Sequence, residues 1–139
     1  GVRHHRLWPL RRRGRRVSEP TAHARVFKTP AGVKLGPLEL IADGKARNFV
    51  LQIGEAYFHG FVVRRGQEAR GYVDRCPHQG FPLAIELDRY LTRDGSLILC
   101  GWHGAVFEPL TGDCVGGPCA GGRLTPWPVQ ATDGIIRTA

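Results

Sequence analysis

The chain has 139 residues, 42% hydrophobic and 23% charged, which suits one globular domain and leaves no room for a second domain of ordinary catalytic size. Its 19 glycines and 10 prolines favour short strands and tight loops over a helix bundle. The net charge of +8 arises in the first 17 residues, where Arg3, Arg6, Arg11, Arg12, Arg13, Arg15 and Arg16 stand without an acid; the remainder holds 13 basic and 12 acidic residues, a net of +1 and a poor footprint for nucleic acid.

Residues 1–36 show little periodicity and read as a basic, flexible N-terminal extension followed by a lead-in segment. An export signal needs an apolar stretch after the arginines, and Val17–Ala24 does not supply one. A transit peptide is usually Ser-rich, which this segment is not. The expected location is therefore the cytoplasm. No run approaches the ~18 apolar residues of a membrane span, so none is expected. In such a setting the four cysteines, Cys76, Cys100, Cys114 and Cys119, point to metal binding or catalysis before a disulfide framework.

From Pro37 onward the pattern is that of strands, and residues 37–139 are expected to form the domain. Phe49, Leu51 and Ile53 alternate with Asn48, Val50 and Gln52, the period of a half-buried strand. Gly54-Glu55 turns into a second strand, Ala56–Arg65, and Gly66-Gln67 into a third, Glu68–Arg75. Leu83–Leu91 places Leu83, Leu87, Tyr90 and Leu91 on one side and is the one window with a helical pattern. Arg93-Asp94-Gly95 is a hairpin signal before Ser96–Cys100. Leu124–Gln130 and Ile135–Thr138, joined through Asp133-Gly134, form a last pair. The sum is an all-β domain of several short strands.

Two segments carry the chemistry. Cys76-Pro77-His78-Gln79-Gly80 and Cys100-Gly101-Trp102-His103-Gly104 each offer one thiolate and one imidazole just after a strand. Zinc accepts two Cys and two His, but its usual spacing pairs like with like along the chain, and here the types alternate. Two buried cysteines with unrelated histidines is the bland alternative, and it must explain the same doublet twice. An iron–sulfur centre explains both doublets. Gly80 and Gly104 suit close approach of backbone N–H groups and positive φ. Nine of the 22 residues from Gly101 to Gly122 are Gly or Pro, as a shaped loop over a cofactor requires. His59 reads as a packed or surface histidine, and His4, His5 and His23 have no partner spacing. Asp88, Asp94, Glu108 and Asp113 read as solvated charges.

Together the two boxes resemble the paired ligand motifs of the Rieske [2Fe–2S] family. The likeness runs from about Pro37 to the C-terminus through Phe107–Gly112, Gly117-Pro118 and Leu124–Val129, in the order of small ferredoxin-like members. It implies a small all-β domain of antiparallel sheets with two cluster-binding loops at one tip. It implies one [2Fe–2S] cluster, with Cys76 and Cys100 on the inner iron, His78 and His103 on the outer, and the segment around Gly117-Pro118 as the covering loop. Cys114 and Cys119, five apart, are then expected to be free thiols near the cluster, with a disulfide across the covering loop as the alternative.

Two thiolates and two neutral imidazoles leave an oxidised diiron core uncharged, so an added electron meets less repulsion than in a four-thiolate site, and Rieske potentials span about −150 to +300 mV. High-potential members of the family carry a disulfide between the boxes and Ser and Tyr hydroxyls near the sulfurs. The matching positions here are Phe81, Trp102, Ala105 and Phe107, and none can serve. The expected potential is therefore at the low end, about −150 mV. The resemblance implies one-electron transfer from a reductase to a terminal oxygenase or similar enzyme, with Phe81, Pro82 and Trp102 as an apolar docking face. Alternatives are a small subunit of a nitrite-reductase-like assembly and a redox-sensing module. Independent catalysis is not expected, since only about 36 residues follow His103, too few for the larger iron domain of an oxygenase.

Overall fold

The computed structural model describes residues 2–5, 24–77, 82–102, 104–118 and 121–139. Twelve strands occur among them: β1 Val2–His5, β2 Ala24–Val26, β3 Lys34–Pro37, β4 Ala46–Ile53, β5 Ala56–Arg65, β6 Glu68–Val73, β7 Ile98–Leu99, β8 Val106–Phe107, β9 Cys114–Gly116, β10 Pro126–Trp127, β11 Val129–Thr132 and β12 Ile135–Thr138. The described residues contain no α-helix, only a 3-10 turn at Leu38–Leu40, and no helix long and apolar enough to cross a membrane.

The main sheet runs β1-β4-β5-β6-β10, with β2 added alongside β5 in the one parallel pairing; β11-β12-β3 and β7-β8-β9 form two smaller antiparallel sheets. The expected meander is present. β4 and β5 pair from Ala46↔Val63 to Ile53↔Ala56 around Gly54, and β5 and β6 pair from Gly60↔Val73 to Arg65↔Glu68 around Gly66. Both glycines have positive φ, 63° and 62°, which is the geometry that tight hairpin loops need. β11 and β12 pair across Asp133-Gly134.

Three expectations are corrected. β4 is not half-buried: Asn48, Phe49, Val50 and Leu51 are all buried, because each face of the sheet is covered. The segment before Pro37 supplies strands as well as a lead-in. β2 lies on β5, and β3 pairs with β12, so the expected boundary falls at the end of β3. The helix-like window Leu83–Leu91 is a run of bends and turns, with Asp88 at φ 67°. Leu83, Leu87, Tyr90 and Leu91 still pack in or against the core, but the side chains of Asp88 and Asp74 take the backbone amides of Asn48 (2.7 Å) and Leu83 (2.9 Å), pinning the segment to the sheet in place of a helical ladder.

Strand alternation divides the interior into two cores. Phe58 and Val62 of β5 face one core with Leu35, Leu51, Trp127 and Ile136; Phe61 and Val63 face another with Tyr72, Leu83, Tyr90 and Phe107. The second core contains both Cys76 and Cys100.

Candidate metal centre

Cys76 follows the end of β6, and Cys100 follows the end of β7. Neither cysteine is in a disulfide; their relative exposures are 1% and 0%, and both belong to the same core cluster. The short strands β7 and β8 make a narrow hairpin in which the Gly104 amide donates to Cys100 O (3.0 Å) and the Cys100 amide to Ala105 O (2.8 Å). Gly104 has φ 77°, the positive value expected for the residue after the second histidine.

The two loops are stitched directly to each other. The Gly101 amide donates to Leu83 O (2.7 Å), and the Trp102 indole Nε1 donates to Pro82 O (2.6 Å). Trp102 keeps 36% of its surface exposed, so it both ties the loops and shows a ring to solvent; Ile85 beside Gly101 is 47% exposed. The third loop closes over the second. A Cβ on Gly117 would lie 2.7 Å from Ala105 Cα and 3.0 Å from Gly104 O, so these backbones touch.

A buried polar network underlies the loops. Asp74, 1% exposed, accepts the Leu83 amide on Oδ1 (2.9 Å) and the Tyr90 hydroxyl on Oδ2 (2.8 Å). Tyr90 Oη in turn accepts from Asn48 Nδ2 (2.9 Å), and its ring stacks on Phe61 with centroids 4.2 Å apart. Burial raises the Asp74 carboxyl above its ordinary range, while the two donors and the Arg25 guanidinium pull it back. Burial, and then Asp74 itself, hold the Tyr90 phenol well above 10. In the same core Tyr72 donates to Pro109 O (2.6 Å), and burial with the nearby Glu108 carboxylate pushes its phenol up to about 12. Outside this core, Arg75 lies over the Phe27 ring at 5.0 Å and steadies the approach to Cys76.

Of the four expected ligands, Cys76 and Cys100 are placed together in the core, whereas His78 and His103 lie outside the described residues, as do Gly80, Phe81 and Cys119. Among the described residues no group of three or more His, Cys, Asp or Glu is arranged to hold a metal. The described half suits a [2Fe–2S] group: two unoxidised, desolvated thiols on adjoining loops are the donor set for its inner iron. His59 lies half-buried in β5. Cys114 is not a free thiol as expected; it is disulfide-bonded, which suits a segment whose neighbour Gly117 must sit close against Ala105.

The acids read as solvated have structural roles. Asp88 holds the Asn48 amide, Asp94 accepts from Thr92, Ser96 N and Ser96 Oγ within its turn, Glu108 accepts the Leu110 amide, and Asp113 pairs with Arg123 at 3.5 Å. Sequence reasoning passed over Asp74 and Tyr90. The available signal was a lone acid ending the apolar strand Gly71-Tyr72-Val73, two residues before a ligand box.

No curated protein is similar to the chain in sequence. Among solved structures, the ferredoxin of carbazole 1,9a-dioxygenase from Nocardioides aromaticivorans is similar with a TM-score of 0.62 at 20% identity, over 79% of this chain and 98% of that one. A chain in a complex of reduced oxygenase and oxidized ferredoxin in carbazole 1,9a-dioxygenase gives 0.63 at 24% identity, over 80% and 94%. A Sphingomonas yanoikuyae ferredoxin gives 0.58 at 22%, over 77% and 96%. The profile of the Rieske [2Fe–2S] domain matches residues 33–129. With that match spanning most of its length, and two buried cysteines outside any disulfide on the paired loops, the chain belongs to the Rieske [2Fe–2S] domain family.

Proposed function

We propose that the protein is a one-electron carrier of the ferredoxin type, accepting electrons from a reductase and delivering them to a terminal oxygenase or similar oxidoreductase. The observation that carries this reading is the pair of desolvated, unoxidised thiols of Cys76 and Cys100 on hydrogen-bonded loops at one end of a small β domain of this family. A [2Fe–2S] cluster bound there supplies reversible one-electron chemistry within about −150 to +300 mV.

The chain's own residues perform the rest. Cys76 and Cys100 anchor the inner side in an apolar core, and His78 and His103 hold the outer side. Leu83, Ala84, Ala105 and Phe107, all fully buried, keep water from the thiolate side. The solvent-facing surface of Trp102, with Pro82 and the exposed Ile85, offers an apolar patch on which a partner docks transiently. Similarity to a chain from an oxygenase–ferredoxin complex supports an oxygenase as that partner. The cytoplasm is the proposed compartment, resting on the lack of an apolar export stretch after the N-terminal arginines in Val17–Ala24.

The test is an electron paramagnetic resonance spectrum of the reduced, full-length protein with iron and acid-labile sulfide analysis. Two irons and two sulfides per chain, with the low average g-value of mixed nitrogen and sulfur ligation, are expected. Reduced protein is then expected to pass its electron to a Rieske-type oxygenase within a single turnover. A colourless protein without iron and sulfide would refute the reading, and Cys76→Ser or His103→Ala retaining an unchanged spectrum would refute the ligand assignment.

A further inference from the structure

We propose that Asp74 is a positioning residue of the centre, a side chain whose two oxygens reach both cysteine-bearing loops and help to set their spacing. This rests on the assignment of Cys76 and Cys100 as ligands.

Cys100 is flanked by two backbone amides with partners outside its own hairpin. The Leu99 amide donates to Tyr90 O (2.8 Å), and the Gly101 amide donates to Leu83 O (2.7 Å). Tyr90 and Leu83 are the two residues that Asp74 holds, Leu83 by its amide on Oδ1 and Tyr90 by its hydroxyl on Oδ2. Each oxygen of one carboxylate thus controls one side of Cys100. The same contact with Leu83 closes the first loop on itself, since residues 74–83 enclose Cys76 and His78. Asp74 is fixed in turn from the sheet, its amide donating to His59 O of β5 (2.9 Å).

The network has little freedom to adjust. Asn48 Nδ2 donates to Tyr90 Oη, which directs the phenol proton toward Asp74, and the Tyr90 ring is held against Phe61 with planes only 10° apart. The carboxylate is buried, so a lost donor is not replaced by bulk water. A displacement at residue 74 therefore reaches the backbone on both sides of Cys100 through one intermediate residue each. A buried acid retained only for local stability would not need both oxygens committed to the two segments that grip the second loop.

The experiment compares Asp74→Ala, Asp74→Asn and Tyr90→Phe in the full chain, loaded with its cluster, by the rate of iron release to a chelator and by the g-values of the reduced state. Asn keeps an acceptor for the Leu83 amide, while its Nδ2 cannot accept the Tyr90 hydroxyl. It is expected to release iron within about threefold of the parent with the same g-values, whereas Ala is expected to release iron about 10–100-fold faster, with shifted or broadened lines. Tyr90→Phe keeps the stacked ring and removes one donor, and it is expected to fall between them.

Ala matching the parent in both readouts overturns the proposal, as does Asn behaving like Ala, which would leave the retained Leu83 hydrogen bond without effect on the second loop. If the Ala variant does not fold, Tyr90→Phe decides: parental iron retention and parental lines overturn the proposal. A parent protein without iron and sulfide would instead fail the ligand assignment itself.

Discussion

A methyl group at Gly117 tests whether the covering loop is held by contact with the second ligand loop. Gly117 and Gly121 share φ 85°, so alanine at either position meets the same left-handed penalty of about 1–2 kcal/mol. They differ in surroundings. At Gly121 a Cβ has nothing within 4 Å; at Gly117 it would stand 2.7 Å from Ala105 Cα, 3.0 Å from Gly104 O and 3.1 Å from Ala105 N. Those atoms are backbone and cannot rotate aside, so Gly117→Ala adds an overpacking cost of about 1–3 kcal/mol. The difference between the two variants, about 2 kcal/mol, corresponds to roughly 30-fold in any equilibrium by which the loop lifts from the second ligand loop. Thermal melting of the loaded protein is expected to fall by about 5 °C for Gly121→Ala and by about twice that or more for Gly117→Ala. Iron release to a chelator is expected to accelerate by roughly 30-fold for Gly117→Ala over Gly121→Ala. Equal melting points and equal release rates would show that the covering loop is not seated on Gly104-Ala105.

Three further outcomes are expected. A redox titration should give a midpoint near the low end of the Rieske range, about −150 mV, because Ala105 and Phe107 carry no hydroxyl and the hydroxyls of Tyr72 and Tyr90 are committed to Pro109 and Asp74; a value above about +100 mV contradicts this. Cys114→Ser should retain full iron and sulfide, since the disulfide-bonded Cys114 is not a ligand; loss of the cluster would make it one. The Tyr72 phenol is raised from 10 to about 12, so the folded state favours the protonated form, and that contribution is complete below pH 10 and lost as pH rises through 12. Urea unfolding should show a decline in stability between pH 10 and 12 that is weaker in Tyr72→Phe; an identical decline in that variant would assign it to other groups.

The parts of the fold legible in the sequence were those where local chemistry decides the backbone. Gly54 and Gly66 sit at hairpins because they take positive φ, and the long runs between them had no helical period. The ligand boxes were legible because two Cys/His doublets followed by Gly are hard to reach by packing alone. Illegible features depend on distant partners. β4 looked one-sided because alternation assigns Asn48 and Val50 to solvent, although a second core covers that face. β7 and β8 have two residues each, too few for any period, and exist because they pair with each other. Leu83–Leu91 carried helical spacing by coincidence of four apolar residues; Asp74 from outside the window holds the Leu83 amide, and Asp88 within it is drawn to the Asn48 amide of β4. Asp74 was passed over because its one local signal, an acid closing an apolar strand just before a ligand box, does not separate a structural carboxylate from a solvated one.

The strand β5 serves as a partition wall, with Phe58 and Val62 on one side and Phe61 and Val63 on the other. Both cysteines lie in a single compartment, so the opposite one, built around Trp127, can consolidate before any inorganic cargo arrives. Hydrogen exchange in the empty protein should then be slower at Phe58 and Val62 than at Leu99 and Gly101. A chain organised in this way can wait for delivery of its iron, and oxidative destruction of the centre leaves behind a receptacle fit for refilling.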